Sequence, residues 1–378
     1  MTDVLNLART NIKNLSPYMH GGNVWGISKK FQVPLDKIMD FSVSTNPLGP
    51  PPKVLKAIRK SLWLIGNYPD PDPKELKNLL AGQIGNVKTE NITLGNGSVE
   101  LIYLFAEAFL DAGHEAIISV PTFGEYEIST IRAGGKPKFV ESHLFSDHPL
   151  SVKDLERVVS KKTRLIFLCN PNSPTGVMLP RDEIIEIIQF AEKRDILIFL
   201  DENYVDFVDT EKMYSLADNV TEFSNLFVLK SLTKFFSLVG LRIGFGVASR
   251  DIVNILNSVK MPWNVNNLAM IAAKEAVTDR AFIEKSRLFV SREKAYMLRQ
   301  LQRIRWLEVH PSDANFFLMK ITKDGLTSTQ LKDRLIMSGL LIRDCANFRG
   351  LNDKFFRVSV RRHTSNKLLI RSLKQFTM

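Results

Sequence analysis

Apolar residues fall along the chain in short blocks that alternate between two spacings. Segments 116–120, 164–169, 196–200 and 226–229 are near-continuous apolar runs bounded by turn formers, the pattern of strands covered on both faces. Segment 181–194 instead repeats its apolar positions at helical spacing. Segment 89–94 reads as a strand that runs into Gly95-Asn96-Gly97-Ser98, followed by an apolar helical stretch to Leu110. Strands alternating with helices predict an α/β layer fold with a mainly parallel sheet. The pattern changes after about residue 268. A long charged helical stretch over 270–302 is followed by strand patterns at 315–319, 341–343 and 355–360 and a helix at 329–338, the content of a smaller α+β domain. Near the start, Pro47 and Pro50 to Pro52 end any regular element, so that segment runs extended over a surface. The expected division is 1–54 as a segment joining the small domain, 55–268 as the large domain, and 269–378 as a linker helix with the small domain.

At 378 residues the chain can bury a sizeable core in two domains. No apolar run reaches membrane-spanning length, and residues 1–9 lack the plan of a signal peptide, so a cytoplasmic location is expected. Cys169 and Cys345 give neither a disulfide framework nor metal spacing. The net charge of +11 is uneven: residues 271–378 hold 22 basic and 10 acidic residues, and the rest is near neutral. These charges mix with opposite signs at helical spacing, and no finger or aromatic-basic repeat of a nucleic-acid binder is present. No nucleic-acid or membrane partner is expected.

Candidate chemistry gathers at strand ends, where ligands sit in open parallel sheets. Lys234 follows the run 226–229, in Ser231-Leu232-Thr233-Lys234, with Gly240-Leu241-Arg242-Ile243-Gly244 beyond it. A desolvated lysine there can bond a carbonyl carbon, and Ser231 and Arg242 suit a phosphate. Gly97, Ser98 and Val99 open a helix after a strand, which offers free N–H groups to an anion. Asp201 and Tyr204 end the run 196–200, and Asn170-Pro171-Asn172-Ser173-Pro174-Thr175-Gly176 ends 164–169. His20-Gly21-Gly22-Asn23 is by itself a turn, though one whose backbone could approach an anion.

Taken in order, the Gly-Asn-Gly-Ser turn, Pro121-Thr122-Phe123, the Asn-Pro loop, Asp201-Glu202-Asn203-Tyr204 and the Ser-x-x-Lys with its later Arg resemble the fold-type I pyridoxal-phosphate enzymes of the aminotransferase class I/II family. The resemblance spans nearly the whole chain and implies the roles that follow. Lys234 would carry the cofactor through its aldehyde carbon, and Asp201 would keep the pyridinium protonated. Tyr204 would bond the phenolic oxygen, and Phe123 would stack on the ring. Gly97, Ser98, Val99, Ser231 and Arg242 would hold the phosphate. Tyr68 would reach that phosphate from a neighbouring subunit, implying a homodimer with shared sites.

The ends of the chain resemble more narrowly the L-threonine-O-3-phosphate decarboxylases of cobalamin synthesis. The residues concerned are His20 to Asn23, Asp40-Phe41-Ser42, Met261-Pro262-Trp263-Asn264, and Arg343-Asp344-Cys345-Ala346-Asn347-Phe348-Arg349-Gly350-Leu351 with Arg357 beyond. Arg357 would then grip the substrate carboxylate, and Arg343 the substrate phosphate, with His20 and Gly21 helping. Two positions depart from the family pattern: Ser44 and Ser173 stand where asparagine is usual, and the resemblance still implies Ser44 at the substrate and Ser173, with Asn172, at the cofactor. The contact of that second asparagine with the phenolic oxygen would fall to water, Asn172 or Tyr204. A phosphoserine or another phosphorylated amino acid therefore stays open as substrate. The histidinol-phosphate aminotransferases are the competing relatives, sharing every cofactor residue. A cofactor-binding regulatory module is a third possibility, but the first 50 or so residues are too short and too rich in Pro and Gly for a helix-turn-helix.

Overall fold

The computed structural model describes residues 4–13, 15–209 and 214–376. Its first strand, β1 (Met39–Asp40), lies apart from the central sheet. That sheet comprises β2 (Ile92–Gly95), β3 (Glu115–Val120), β4 (Lys136–Glu141), β5 (Thr163–Cys169), β6 (Leu197–Asp201), β7 (Leu226–Ser231) and β8 (Gly244–Ala248). Their spatial order is β2-β8-β7-β6-β5-β3-β4. All neighbours pair in parallel except β8, which runs antiparallel to both β2 and β7.

The apolar runs are continuous because both faces of the sheet are covered. Ile166, Ile198 and Val228 enter one core with the helices Lys74–Ile84 and Arg181–Glu192. Their neighbours Phe167, Phe199 and Phe227 enter the opposite core with the helix Ser98–Phe109. Each such side chain contributes roughly 1.5–3 kcal/mol of transfer free energy. Two strands of this sheet are absent from the sequence pattern. β4, Lys-Pro-Lys-Phe-Val-Glu, is an edge strand whose outward positions are charged. β8 contains glycines for a packing reason: a Cβ on Gly246 would fall 2.1 Å from the Phe227 ring.

Three boundaries differ from expectation. Residues 89–91 form a 3-10 turn, with Asn91 Oδ1 accepting from the Lys88 N–H at 3.0 Å, and the strand starts only at Ile92. The charged stretch 270–302 is two helices, Asn267–Val277 and Arg280–Leu301, because Asp279 caps the second by accepting from the Phe282 N–H at 3.2 Å. The run 341–343 is split at Ile342 between two short strands.

The smaller region holds β9 (Leu307–Val309), β10 (Phe316–Ile321), β11 (Leu340–Leu341), β12 (Arg343–Asp344) and β13 (Phe355–Ser359). β12-β13-β10-β9 form an antiparallel sheet, and β11 pairs in parallel with β1. Phe41 packs into this core beside Phe317, Phe356 and Val358. The Ser359 N–H donates to the Phe41 carbonyl at 2.9 Å, so residues near 40 belong structurally with residues near 359. Among the described residues no helix is long and apolar enough to cross a membrane, and no cluster of side chains suits a metal ion.

Candidate active site

Strand register brings the sequence motifs to one edge of the central sheet. Cys169 lies opposite Asp201, and Asp201 opposite Leu229, so the Asn-Pro loop, the Asp-Glu-Asn-Tyr turn and the lysine turn leave adjacent strands together. Gly95, Gly244 and Ser231 form one row across β2, β8 and β7. This row ends at the helix Ser98–Phe109, whose N-cap is Gly97 at φ +80°. A Cβ on Gly97 would lie 2.4 Å from Arg242 Nη2, and one on Gly244 would lie 2.8 Å from the Ser98 nitrogen. Two absent methyl groups therefore let a guanidinium and a helix N-terminus close on the same point. Arg242 also donates through Nη1 to the Val239 carbonyl at 3.1 Å. Ser231 Oγ accepts from the Thr233 N–H at 3.2 Å and lies 2.7 Å from Thr233 Oγ1. The first-turn N–H groups of Ser98 and Val99, the guanidinium and these hydroxyls make a cup for a dianion.

Lys234 lies in the short helix Leu232–Phe235, which starts where β7 ends. Burial, and then Arg357 and Arg242, lower its ammonium to about 8, against a smaller opposite pull from Asp201. Lys234 therefore releases its proton far more readily than an ordinary lysine, which raises the share of the neutral amine that a nucleophile needs at physiological pH. The turn is clamped by Asn46, whose N–H donates to the Lys234 carbonyl at 3.0 Å and whose side-chain amide donates to the Phe235 carbonyl at 2.8 Å. Burial raises the Asp201 carboxyl to about 6, although Tyr126 donates to its Oδ2 at 2.7 Å and the Asn203 N–H to its Oδ1 at 2.9 Å. The Asn203 amide spans the site: it donates to Asp201 Oδ2 at 3.2 Å and to Ser98 Oγ at 3.1 Å. Asn203 lies inside the Asp-Glu-Asn-Tyr motif, whereas Asn46 and Tyr126 carry no separate signal in the sequence. Phe123 is half-buried, 5.7 Å from the Tyr126 ring and 5.5 Å from the His20 ring between centroids. Tyr204 is buried, and burial pushes its hydroxyl up to about 12.

Two buried arginines face the same cleft from the smaller sheet. Arg343 and Arg357 are directly opposite each other on β12 and β13. Like charges in that position repel. Among the described residues neither makes an ion pair with a carboxylate. Arg357 Nη1 donates to Ser173 Oγ at 2.8 Å and Nη2 to the Ser42 carbonyl at 3.2 Å, while its Nε is buried without a hydrogen-bond partner. Arg343 Nη2 donates to the Met19 carbonyl at 2.7 Å and to Asn347 Oδ1 at 2.8 Å. It lines a cavity of about 310 Å³ with His20, Gly21, Gly22 and Ser42. Gly21 has to be glycine, since a Cβ there would fall 2.6 Å from the Ser42 carbonyl oxygen.

Two expected site residues, Asn172 and Ser44, are engaged elsewhere, while Tyr68 lies on the surface, where its expected role toward a neighbouring subunit is not met within one chain. Asn172 cannot take over the phenolic-oxygen contact, because its amide donates to the Pro121 carbonyl and Thr175 Oγ1 and its oxygen accepts from Thr122. Ser44 is buried against Ser359 at 3.0 Å and is not among the residues that line the Arg343 cavity. Tyr68 is exposed and stacks on Trp263, with centroids 4.6 Å apart. Ser173 bonds Arg357, so its hydroxyl serves the carboxylate side of the cleft.

The glycine-shaped anion cup, the buried Asp201 and the desolvated Lys234 together fit pyridoxal phosphate: a phosphate at one end, a ring nitrogen at the other and an aldehyde carbon beside the amine. Fold and site define a fold-type I pyridoxal-phosphate enzyme. The chain belongs to the aminotransferase class I and II family, whose model matches residues 36–373. It is 36% identical over 364 residues, 96% of this chain and 95% of the relative, to a protein provisionally named threonine-phosphate decarboxylase from Caldanaerobacter subterraneus subsp. tengcongensis. It is 30% identical to the histidinol-phosphate aminotransferase of Methanocaldococcus jannaschii, over 94% of this chain and 93% of that one. The crystal structure of L-threonine-O-3-phosphate decarboxylase from Porphyromonas gingivalis superposes with a TM-score of 0.79 at 30% identity, covering 89% of this chain and 98% of that chain.

Proposed function

We propose that this protein decarboxylates L-threonine O-3-phosphate to (R)-1-aminopropan-2-yl phosphate, a step in cobalamin synthesis, with pyridoxal phosphate as cofactor. The observation that carries this is the buried pair Arg343 and Arg357, opposite each other in strand register and, among the described residues, neither ion-paired with a carboxylate. Such a pair suits a substrate with two anionic groups. Similarity to the Caldanaerobacter and Porphyromonas proteins supports the same substrate.

In this mechanism the cup of Gly97, Ser98, Val99, Ser231 and Arg242 would hold the cofactor phosphate, Asp201 would pair with the ring nitrogen, and Phe123 and Tyr204 would hold the ring. When bound, the cofactor withdraws electrons from whichever substrate bond stands normal to its ring. Arg357 holds the carboxylate through its unpartnered Nε and a neighbouring nitrogen, and Arg343 with His20 holds the substrate phosphate. Two anchors at opposite ends of the substrate set its rotation, so they decide that the bond to the carboxylate breaks. Lys234, carrying the proton it takes from the substrate ammonium, returns it to Cα.

The enzyme would work as a homodimer in the cytoplasm. Support for the dimer comes from the exposed Tyr68 and Trp263, which stack on each other, with Trp63 and Met261 also exposed. The match to histidinol-phosphate aminotransferases favours a second reading, amine transfer from a phosphorylated amine. Incubating the holoenzyme with phosphothreonine separates the two. CO2 and aminopropanol phosphate formed without any keto acid are expected; amine transfer that requires a keto acid overturns the proposal.

A further inference from the structure

Glu125 opens the helix Glu125–Ala133 and is buried, yet no lysine or arginine pairs with it among the described residues. Its two oxygens are divided between distant parts of the chain. Oε1 lies 2.6 Å from His20 Nε2, and Oε2 accepts the hydroxyl of Tyr103 from the helix Ser98–Phe109. Burial by itself would raise this carboxyl, but the bonds from His20 and Tyr103 outweigh it and hold it below its ordinary value. An ionised carboxylate can only accept, so the proton on the His20 side of the bond belongs to Nε2.

Two aromatic rings flank the imidazole. Its centroid is 5.2 Å from the Tyr18 ring and 5.5 Å from the Phe123 ring. Tyr18 is itself pressed onto Gly124, where a Cβ would fall 2.3 Å from the tyrosine ring. The same imidazole lines the cavity of Arg343, Gly21 and Gly22. With Nε2 turned to Glu125, Nδ1 is the nitrogen left for a ligand.

We infer that Glu125, steadied by Tyr103, is the positioning residue that turns His20 so that Nδ1 meets the phosphate of the substrate. This rests on the site accepting a phosphorylated amino acid, as proposed above. With both ring nitrogens donating, one to the carboxylate behind the ring and one to a phosphate in front of it, the contact is charge-assisted. The arrangement is the one by which a second group fixes the tautomer and direction of a binding histidine. Tyr18, Lys332 and Asp344 are the other titratable groups near this ring and cavity beside Arg343.

The test compares phosphorylated and unphosphorylated ligands on the holoenzyme. Binding of O-phospho-L-threonine and of L-threonine is followed by the cofactor absorbance, and turnover of the former gives kcat and KM. Glu125→Gln should weaken phosphothreonine binding and raise KM about tenfold, with kcat within about twofold and threonine binding unchanged. Tyr103→Phe, which keeps the carboxylate, should give the same selective loss at about threefold, and it carries the comparison if Glu125→Gln does not fold. In a His20→Ala background Glu125→Gln should add nothing. Equal losses for both ligands, as a purely structural tie would give, or additive losses in the double variant, overturn the inference. A preference for phosphothreonine that survives in Glu125→Gln overturns it alone; a wild-type enzyme with no such preference overturns the substrate assignment as well.

Discussion

The cofactor cradle and the substrate rim share one cleft but are built in opposite ways. The cradle groups stand at the ends of adjacent strands, and the backbone places them: register aligns Cys169 with Asp201 and Ser231 with Gly244. The rim joins residues more than 300 positions apart, as where Arg343 donates to the Met19 carbonyl and Arg361 Nε to the Asp40 carbonyl at 2.6 Å. Burial also acts differently on the two. In the cradle it moves Lys234 to about 8 and Asp201 to about 6, toward the range where protons are exchanged. In the rim it lowers Arg343 only within a range where guanidinium stays charged. One region is tuned to change its protonation; the other is built to hold charge constant.

That contrast can be broken most sharply at Lys234. Lys234→Ala should lower the proposed turnover of phosphothreonine by at least about 10⁴-fold and abolish the yellow absorbance of the bound cofactor, as measured by product formation and spectroscopy. The lysine also has a stability signature in the cofactor-free protein. Its folded value lies below the unfolded one, so between about 8 and 10.5 the unfolded chain binds more protons, and stability rises with pH. Urea unfolding should show Lys234→Ala more stable than wild type at pH 7, by on the order of 3 kcal/mol, with the gap closing across that window.

Arg357→Ala tests the rim and comes next. It removes the partner of a desolvated carboxylate, so kcat/KM should fall about 10²- to 10³-fold while cofactor binding, followed by absorbance titration, stays within about threefold. An equal loss of cofactor affinity would merge the two regions and break the comparison.

Asp201→Asn has a smaller effect on stability and the opposite sign from its effect on turnover. The raised carboxyl means that the folded chain keeps a proton between about pH 4 and about 6 that the unfolded chain has lost, so stability from this group falls as pH rises through that window. The variant should stabilise the cofactor-free protein at pH 7 by about 2 kcal/mol in urea unfolding, and should slow turnover because the ring nitrogen loses its anion. The mildest expected change is Ser173→Ala. It leaves one Arg357 donor without its bond at 2.8 Å, and KM should rise about fivefold with kcat nearly constant.

Legibility from the sequence followed the same divide. Lys234, Asp201 and the turn at Gly97 stand out because each belongs to a contiguous strand-turn-helix unit whose chemistry is local. Side chains defined by a distant partner did not. Asn172 reads as a cofactor ligand until Pro121, Thr122 and Thr175 are seen to occupy its amide, and Ser44 as a substrate ligand until Ser359 is found against it. Tyr126, Asn203, Glu125 and Asn46 show the converse: ordinary residues in sequence, each gaining its task from a bond across the fold.

The sequence by itself determined the alternation of buried strands with helices, the motifs at the strand ends and, through their order, the family. Period and turn chemistry act over a few residues, and a single chain displays them directly. Only the tertiary structure decided which hydroxyl meets Arg357, that two arginines face each other across β12 and β13, and that a buried glutamate stands behind His20. Those outcomes depend on the register of strands and on contacts between segments hundreds of residues apart, and the distance at which two side chains finally meet is written in no local stretch of the chain.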